Sequence, residues 1–208
     1  ENTMITYFCL GGIPRYLELI KKPSINEIEN LFLRKNSILL REGKLLLKDN
    51  FPDSSLFPKI LSTIASGKTK ATDIANSIQI PSSQISKYLS ILNEYGYIEK
   101  RYPILGGKKK DIRFYIADKF FGFWTTFVWP YYNEIETQDK QLDKNKFNSY
   151  CGLEFEKLIL EILPEIPEFK DYKFGRQWGK NYEIDVVGIT KNEILFGECK
   201  WQENVNPE

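Results

Sequence analysis

The chain has 208 residues, with 29 Lys and Arg against 28 Asp and Glu and no histidine, for a formal net charge of +1. The missing histidine excludes Ser-His-Asp and Cys-His catalysis, HxxxH zinc sites and histidine general bases together, which leaves carboxylates, lysine, tyrosine or a bound metal for any chemistry. Near-neutral charge confines any nucleic-acid affinity to local basic patches.

Residues 1 to about 50 carry helical patterns. After a Gly-Gly-Ile-Pro break, Tyr16, Leu17 and Ile20 fall at helical spacing, and Ser24 with Glu27 three residues on forms a capping-box pattern. "NFPDSS" then punctuates the chain. Beyond it, "SLFPKILSTIASG", "KATDIANSIQI" and "PSSQISKYLSILNEYG" predict three short helices. The third has Ser82 or Ser83 as its cap and Ile85, Leu89 and Leu92 on one face. "YIEKRYPI", "LGGKKKD" and "IRFYIAD" predict strand, Gly-Gly turn and strand. Three helices followed by a β-hairpin is the order of a winged helix-turn-helix.

On that third helix, Ser83, Gln84, Ser86 and Lys87 are left to face outward, as groove contact requires. Arg101, Lys108, Lys109 and Lys110 fall on the wing, where they would meet phosphates. The alternative is a winged-helix interaction module whose lysines solvate a turn. The following "KFFGFWTTFVWPYY" crowds its aromatics together with Lys119 the one nearby cation, which points to core packing rather than base stacking. "TQDKQLDKNK" is a polar linker.

A last unit starts near Phe147. "FNSYCGLEFEKLILEIL" predicts an amphipathic helix with Leu153, Leu158 and Ile162 on its apolar side. "FKDYKFGRQWGKN", "YEIDVVGI" and "EILFGECKW" predict three strands, the last two joined through the short "TKN" hairpin. Alternation puts Glu198 and Lys200 on one face, with Cys199 and Trp201 on the other. Asp185 on the preceding strand would approach them. Two carboxylates drawn together repel, and a divalent cation reverses that balance. Oxygen ligation favours Mg²⁺ or Mn²⁺, and such an ion activates water and clamps a phosphodiester oxygen. Lys200 would orient the water or stabilise developing charge. The three cysteines, Cys9, Cys151 and Cys199, lack metal-ligand spacing and are expected as buried apolar fillers.

Asp185 followed by Glu198-Cys199-Lys200 resembles the PD-(D/E)XK nuclease superfamily. That resemblance implies a helix glutamate too, with Glu154 the first candidate and Glu156 the second. The proline usual before the aspartate is replaced by Ile184, and the chain stops soon after the third strand, which implies an incomplete nuclease fold.

Together, "LGGIPRYL", "ILSTIASGKTKATDIANSI", "SKYLSILNEYGYIEKRYPI" and "FYIADKFFGFWTTFVWP" resemble the C-terminal half of archaeal AAA-type (STAND-like) ATPases. The resemblance implies an α+β, multidomain chain. Residues 1–50 would be the end of an ATPase lid, 51–136 a winged helix-turn-helix with an aromatic extension, and 146–208 a PD-(D/E)XK nuclease-like domain. No GxxxxGKS/T phosphate loop is present, so ATP is expected only in a longer parent chain, of which this would be a fragment. The expectation is a cytoplasmic DNA-binding protein with a metal-dependent nuclease domain holding Mg²⁺ or Mn²⁺ on Asp185, Glu198 and Glu154. Its partners would be DNA and an ATPase domain or another protein, with no membrane. The alternative is a non-enzymatic DNA-binding or regulatory module with an inert nuclease fold.

Overall fold

Side-chain caps set the starts of α3 (Ile25–Phe32), α8 (Lys119–Phe123) and α10 (Lys144–Ile162), through Ser24, Asp118 and Asp143. The computed structural model describes residues 2–52, 55–108 and 111–202. Four helices come first: α1 (Asn2–Leu10), α2 (Pro14–Leu17), α3 (Ile25–Phe32) and α4 (Ile38–Asn50). Ser24 caps α3 as expected, its side chain accepting the Glu27 amide at 3.2 Å. Next come α5 (Leu56–Ala65), α6 (Ala71–Ile78) and α7 (Ser82–Glu94), then the antiparallel strands β1 (Ile98–Arg101) and β2 (Arg113–Ile116). The helix-helix-helix-hairpin order is therefore the expected one. Between α6 and α7 the turn needs a left-handed residue, and Gln79 supplies it at φ 57°. One detail differs at α7: Pro81 occupies the N-cap and no serine side chain closes the first turn. A proline there sacrifices no hydrogen bond, because the first amides of a helix have no intrahelical acceptor.

The aromatic segment forms α8 (Lys119–Phe123), a π-helical turn over Trp124–Val128, a 3₁₀ turn over Trp129–Tyr131 and α9 (Tyr132–Ile135). Phe120, Phe121, Phe123, Trp124, Phe127 and Val128 are all buried, so this stretch is core, as its crowding indicated. The indole N–H of Trp124 donates to the Leu40 carbonyl at 3.0 Å, which satisfies the polar atom that burial would otherwise strand.

The remainder is α10 (Lys144–Ile162), then β3 (Lys173–Trp178), β4 (Glu183–Ile189) and β5 (Ile194–Gly197) in an antiparallel sheet of order β3-β4-β5. The apolar side expected for α10 is corrected: Leu153 and Ile162 are exposed, while Phe147, Tyr150, Cys151 and Glu154 are buried. The buried stripe runs i, i+3, i+4, i+7 as helical geometry demands, but one of its members is a carboxylate. β5 is also shorter than expected. It ends at Gly197, and Glu198, Cys199 and Lys200 follow it as irregular chain.

The chain divides into two compact units, one formed by Glu1–Arg101 with Arg113–Leu142 and the other by Tyr102–Ile112 with Asp143–Glu208. The connection between β1 and β2 thus belongs to the unit that holds β3, β4 and β5. Within that unit the Ile104 amide donates to the Arg176 carbonyl at 3.0 Å, and the Leu105 amide to Gln177 Oε1 at 3.0 Å. Trp178 Nε1 returns a bond to the Asp111 carbonyl at 2.8 Å. β3 is an edge strand, and the first of these bonds satisfies a backbone carbonyl that an open edge would leave free to pair with another chain, while the other two hold the connection through β3 side chains. Among the described residues, no helix is long and apolar enough to cross a membrane.

Candidate DNA-reading helix and carboxylate centre

In the first unit, α7 splits cleanly along its length. Ile85, Leu89 and Leu92 are buried, each with no more than 1% of its surface exposed. Ser83, Gln84, Ser86 and Lys87 are exposed on the opposite side, at the N-terminal end where a recognition helix meets base edges. The buried and exposed faces of α7 are the ones its apolar periodicity predicts.

The basic residues assigned to the wing divide differently. Arg101, at the end of β1, is ion-paired with Glu99 at 2.5 Å and lies over the Tyr115 ring at 5.2 Å. Its guanidinium is engaged within the hairpin. Lys108 is exposed, its amide held by Asp111 Oδ2 at 2.6 Å, and it belongs to the second unit. Lys109 and Lys110 lie outside the described residues.

In the second unit a register shift brings charges together. Gly175 pairs with Val187 and Gln177 with Ile184, so Arg176 on β3 faces a bulge containing Val186 and Asp185. A bulge re-aims side chains. Here Arg176, only 8% exposed, lies 2.9 Å from Glu156 on α10, 3.0 Å from Glu183 and 3.5 Å from Asp185 on β4. The other oxygen of Asp185 accepts the Cys199 amide at 3.1 Å, which fixes the chain just after β5. Trp201 then packs its ring on Phe155 of α10 at 5.5 Å. Alternation continues past the strand end: Cys199 and Trp201 are half-buried, while Glu198 and Lys200 are exposed.

Electrostatics follow burial. Desolvation pushes the Glu156 carboxyl up, Arg176 opposes it, and Asp185 and Glu183 add to the rise. Burial together with Asp185 and Glu156 pushes the Cys199 thiol up to about 11, so at neutral pH it is a thiol rather than a reactive thiolate.

Of the residues expected around a metal, Glu154 is 2% exposed and ion-paired with Lys157 at 2.5 Å. Glu198 and Lys200 pair with one another at 3.5 Å in solvent. Asp185 is turned to Arg176 and the Cys199 amide. Among the described residues, no group of three or more His, Cys, Asp or Glu side chains is placed to hold a metal ion. The donor set therefore does not fit a divalent cation as it stands. The second-choice helix glutamate, Glu156, is the one that shares a partner with Asp185. The sequence reading includes neither Arg176 nor Glu183. The signal for Arg176 is "FGRQW", an arginine inside a run that otherwise forms a buried strand, whereas Glu183, exposed at the start of β4, carries none.

Residues 59–100, from α5 to β1, match the bacterial regulatory protein family arsR. Residues 124–208 match a family described as archaeal and bacterial proteins of unknown function. An uncharacterized protein of Methanocaldococcus jannaschii is 33% identical over 213 residues, which cover 98% of this chain and 48% of that protein. The chain spans about half the length of this curated relative. No solved structure matches it. The regulatory-protein match falls on the same helices that the fold identifies as a winged helix-turn-helix, and it supports DNA binding.

Proposed function

We propose that this chain is a DNA-binding winged-helix module with α7 as its recognition helix, joined to a second folded unit that acts without a metal centre. The observation that carries it is the division of α7, whose apolar residues are buried while Ser83, Gln84, Ser86 and Lys87 stand in solvent. Gln84 has the donor and acceptor pair that reads adenine in the major groove, and the serines bond to either purine or pyrimidine edges. Lys87 supplies phosphate affinity without sequence information. The arsR-family match over residues 59–100 favours the same assignment. With a net charge of +1, affinity rests on this local face.

The finer alternative, hydrolysis of phosphodiesters by Asp185, Glu198, Glu154 and Lys200 around Mg²⁺ or Mn²⁺, asks those groups to converge. Their present partners are Arg176, Lys200, Lys157 and Glu198 respectively, and no metal-holding group forms among the described residues. A role for ATP or an ATPase partner belongs to a longer chain.

Fluorescence anisotropy with duplex DNA over a salt series tests the proposal. Lys87→Ala should weaken binding to all sequences alike and reduce the slope of log K against log salt by about one. Gln84→Ala should cost about 1–3 kcal/mol at a preferred site and little elsewhere. Unchanged binding in a Ser83, Gln84 and Lys87 triple-alanine variant that retains its fold would remove α7 as the reader. Metal-dependent plasmid nicking by the wild type, abolished in Lys200→Ala, would install the nuclease reading instead.

A further inference from the structure

The carboxylate centre of the second unit already contains a cation. Glu156, Glu183 and Asp185 come from α10 and β4, and all three point at the same guanidinium nitrogen of Arg176, at 2.9, 3.0 and 3.5 Å. Carboxylates brought together from a helix and a strand repel one another unless a cation lies between them, and here that cation is the guanidinium. Arg176 is fixed in place from the backbone side as well, since its carbonyl accepts the Ile104 amide and the bulge beside it sets its register. A guanidinium is charged at every pH a folded protein meets, and its planar fork suits carboxylates.

We infer that Arg176 is the permanent cation of this centre, filling the role a divalent metal would otherwise fill, so that the unit folds and works without metal. The ion it displaces could not share the site. Mg²⁺ demands near-octahedral ligation at about 2.0–2.1 Å, and a buried guanidinium among the same oxygens repels it and occupies the space. The charge balance is consistent with this. Glu183 is partly exposed and screened by water, whereas Glu156 and Asp185 are the more enclosed pair and depend most on Arg176. The guanidinium also ties β3 to α10 and β4, which a metal would do in its place.

Thermal unfolding in EDTA and in Mn²⁺ tests this on the full chain, with wild type, Asp185→Asn and Arg176→Gln compared. The wild-type melting temperature should be the same in both buffers, and Asp185→Asn should lower it equally in both. Arg176→Gln should melt lower in EDTA and recover part of the loss in Mn²⁺, because a ligand that binds only the folded state raises its stability. That recovery should vanish when Asp185→Asn is added. A wild type stabilised by Mn²⁺ through Asp185 overturns the inference, as does Arg176→Gln that folds but gains no metal dependence. If Arg176→Gln does not fold, the wild-type and Asp185→Asn pair still decides. Equal loss in both buffers supports the resident guanidinium, and loss confined to Mn²⁺ refutes it.

Discussion

The two units solve the same folding problem with different materials. In the first, the buried set is almost wholly apolar: α3 with its C-cap residue, α4 and α5 contribute Phe32, Leu33, Leu39, Leu40, Ile60 and Leu61, and the aromatic segment contributes Phe120, Phe123 and Trp124. Thr6 and Thr125 are its buried polar residues among those described. In the second, the apolar set is Phe147, Tyr150, Cys151, Trp178, Val186 and Val187, and beside them Glu154, Arg176 and Gln177 are buried. A helix on a three-stranded sheet has too little apolar surface to bury alone, and ionic groups fill the difference. Buried ion pairs add little net stability, since desolvation offsets attraction, but they hold one geometry and punish the loss of a partner.

Removing one central group from each unit sharpens the contrast most. Trp124→Ala should cost about 3–5 kcal/mol through cavity formation and the loss of its bond to Leu40. Urea unfolding followed by segment-resolved hydrogen exchange should place that loss in the first unit. Arg176→Ala should cost about 3 kcal/mol by a different route, because it strands Glu156 and Asp185 rather than opening an apolar void. Its loss should appear in α10 and β3–β5. Acidification, which neutralises the stranded carboxylates, should reduce the Arg176→Ala deficit and leave the Trp124→Ala deficit unchanged. Equal pH responses would break the comparison.

Packing in the first unit makes a smaller prediction at Gly43. A β-carbon there would sit 2.5 Å from Cε2 of Trp124, inside the indole's van der Waals envelope. Glycine in a helix interior ordinarily costs about 1 kcal/mol against alanine. Gly43→Ala recovers that amount but overpacks the indole, at about 1–3 kcal/mol. A net loss near 1 kcal/mol is expected in urea unfolding, and a gain would show that the indole has room to move.

The same contrast explains what was legible in the sequence. Ile85, Leu89 and Leu92 were readable because an apolar core imposes helical periodicity, and the crowding of Phe120 to Phe127 was readable because aromatics without interleaved cations bury together. Ser24 announced the start of α3 through its spacing to Glu27. In the second unit periodicity misled. The inner face of α10 includes Glu154, whose burial depends on Lys157 one turn away, and no apolar pattern reveals a buried pair. Asp185 stands out in the sequence as a carboxylate in a buried strand, but nothing in that strand points to Arg176, rather than a dissolved ion, as its cation. The bulge that joins them exists only as a pairing of two strands, and neither strand alone encodes it.

The smallest effect is expected where the apolar unit tolerates a charge. Asp118 caps α8, its Oδ1 accepting the Phe121 amide at 2.8 Å. Burial raises its pKa, and the bonds from Phe121 and Phe120 together with Lys119 lower it without cancelling the rise. A carboxyl whose folded pKa exceeds its unfolded value binds more protons when folded, so stability falls as pH rises from the unfolded value through the folded one. Above that window the charge is a cost, set against a cap worth about 1 kcal/mol. Asp118→Asn preserves the accepting oxygen and removes the charge, so its melting temperature should equal or slightly exceed that of the wild type at neutral pH. The difference should close as the buffer is acidified, and Asp118→Ala should lie below both. Should Asn instead melt lower at neutral pH, the anion's attraction to the helix N-terminus would outweigh its burial, and even the apolar unit would depend on a charge at this position.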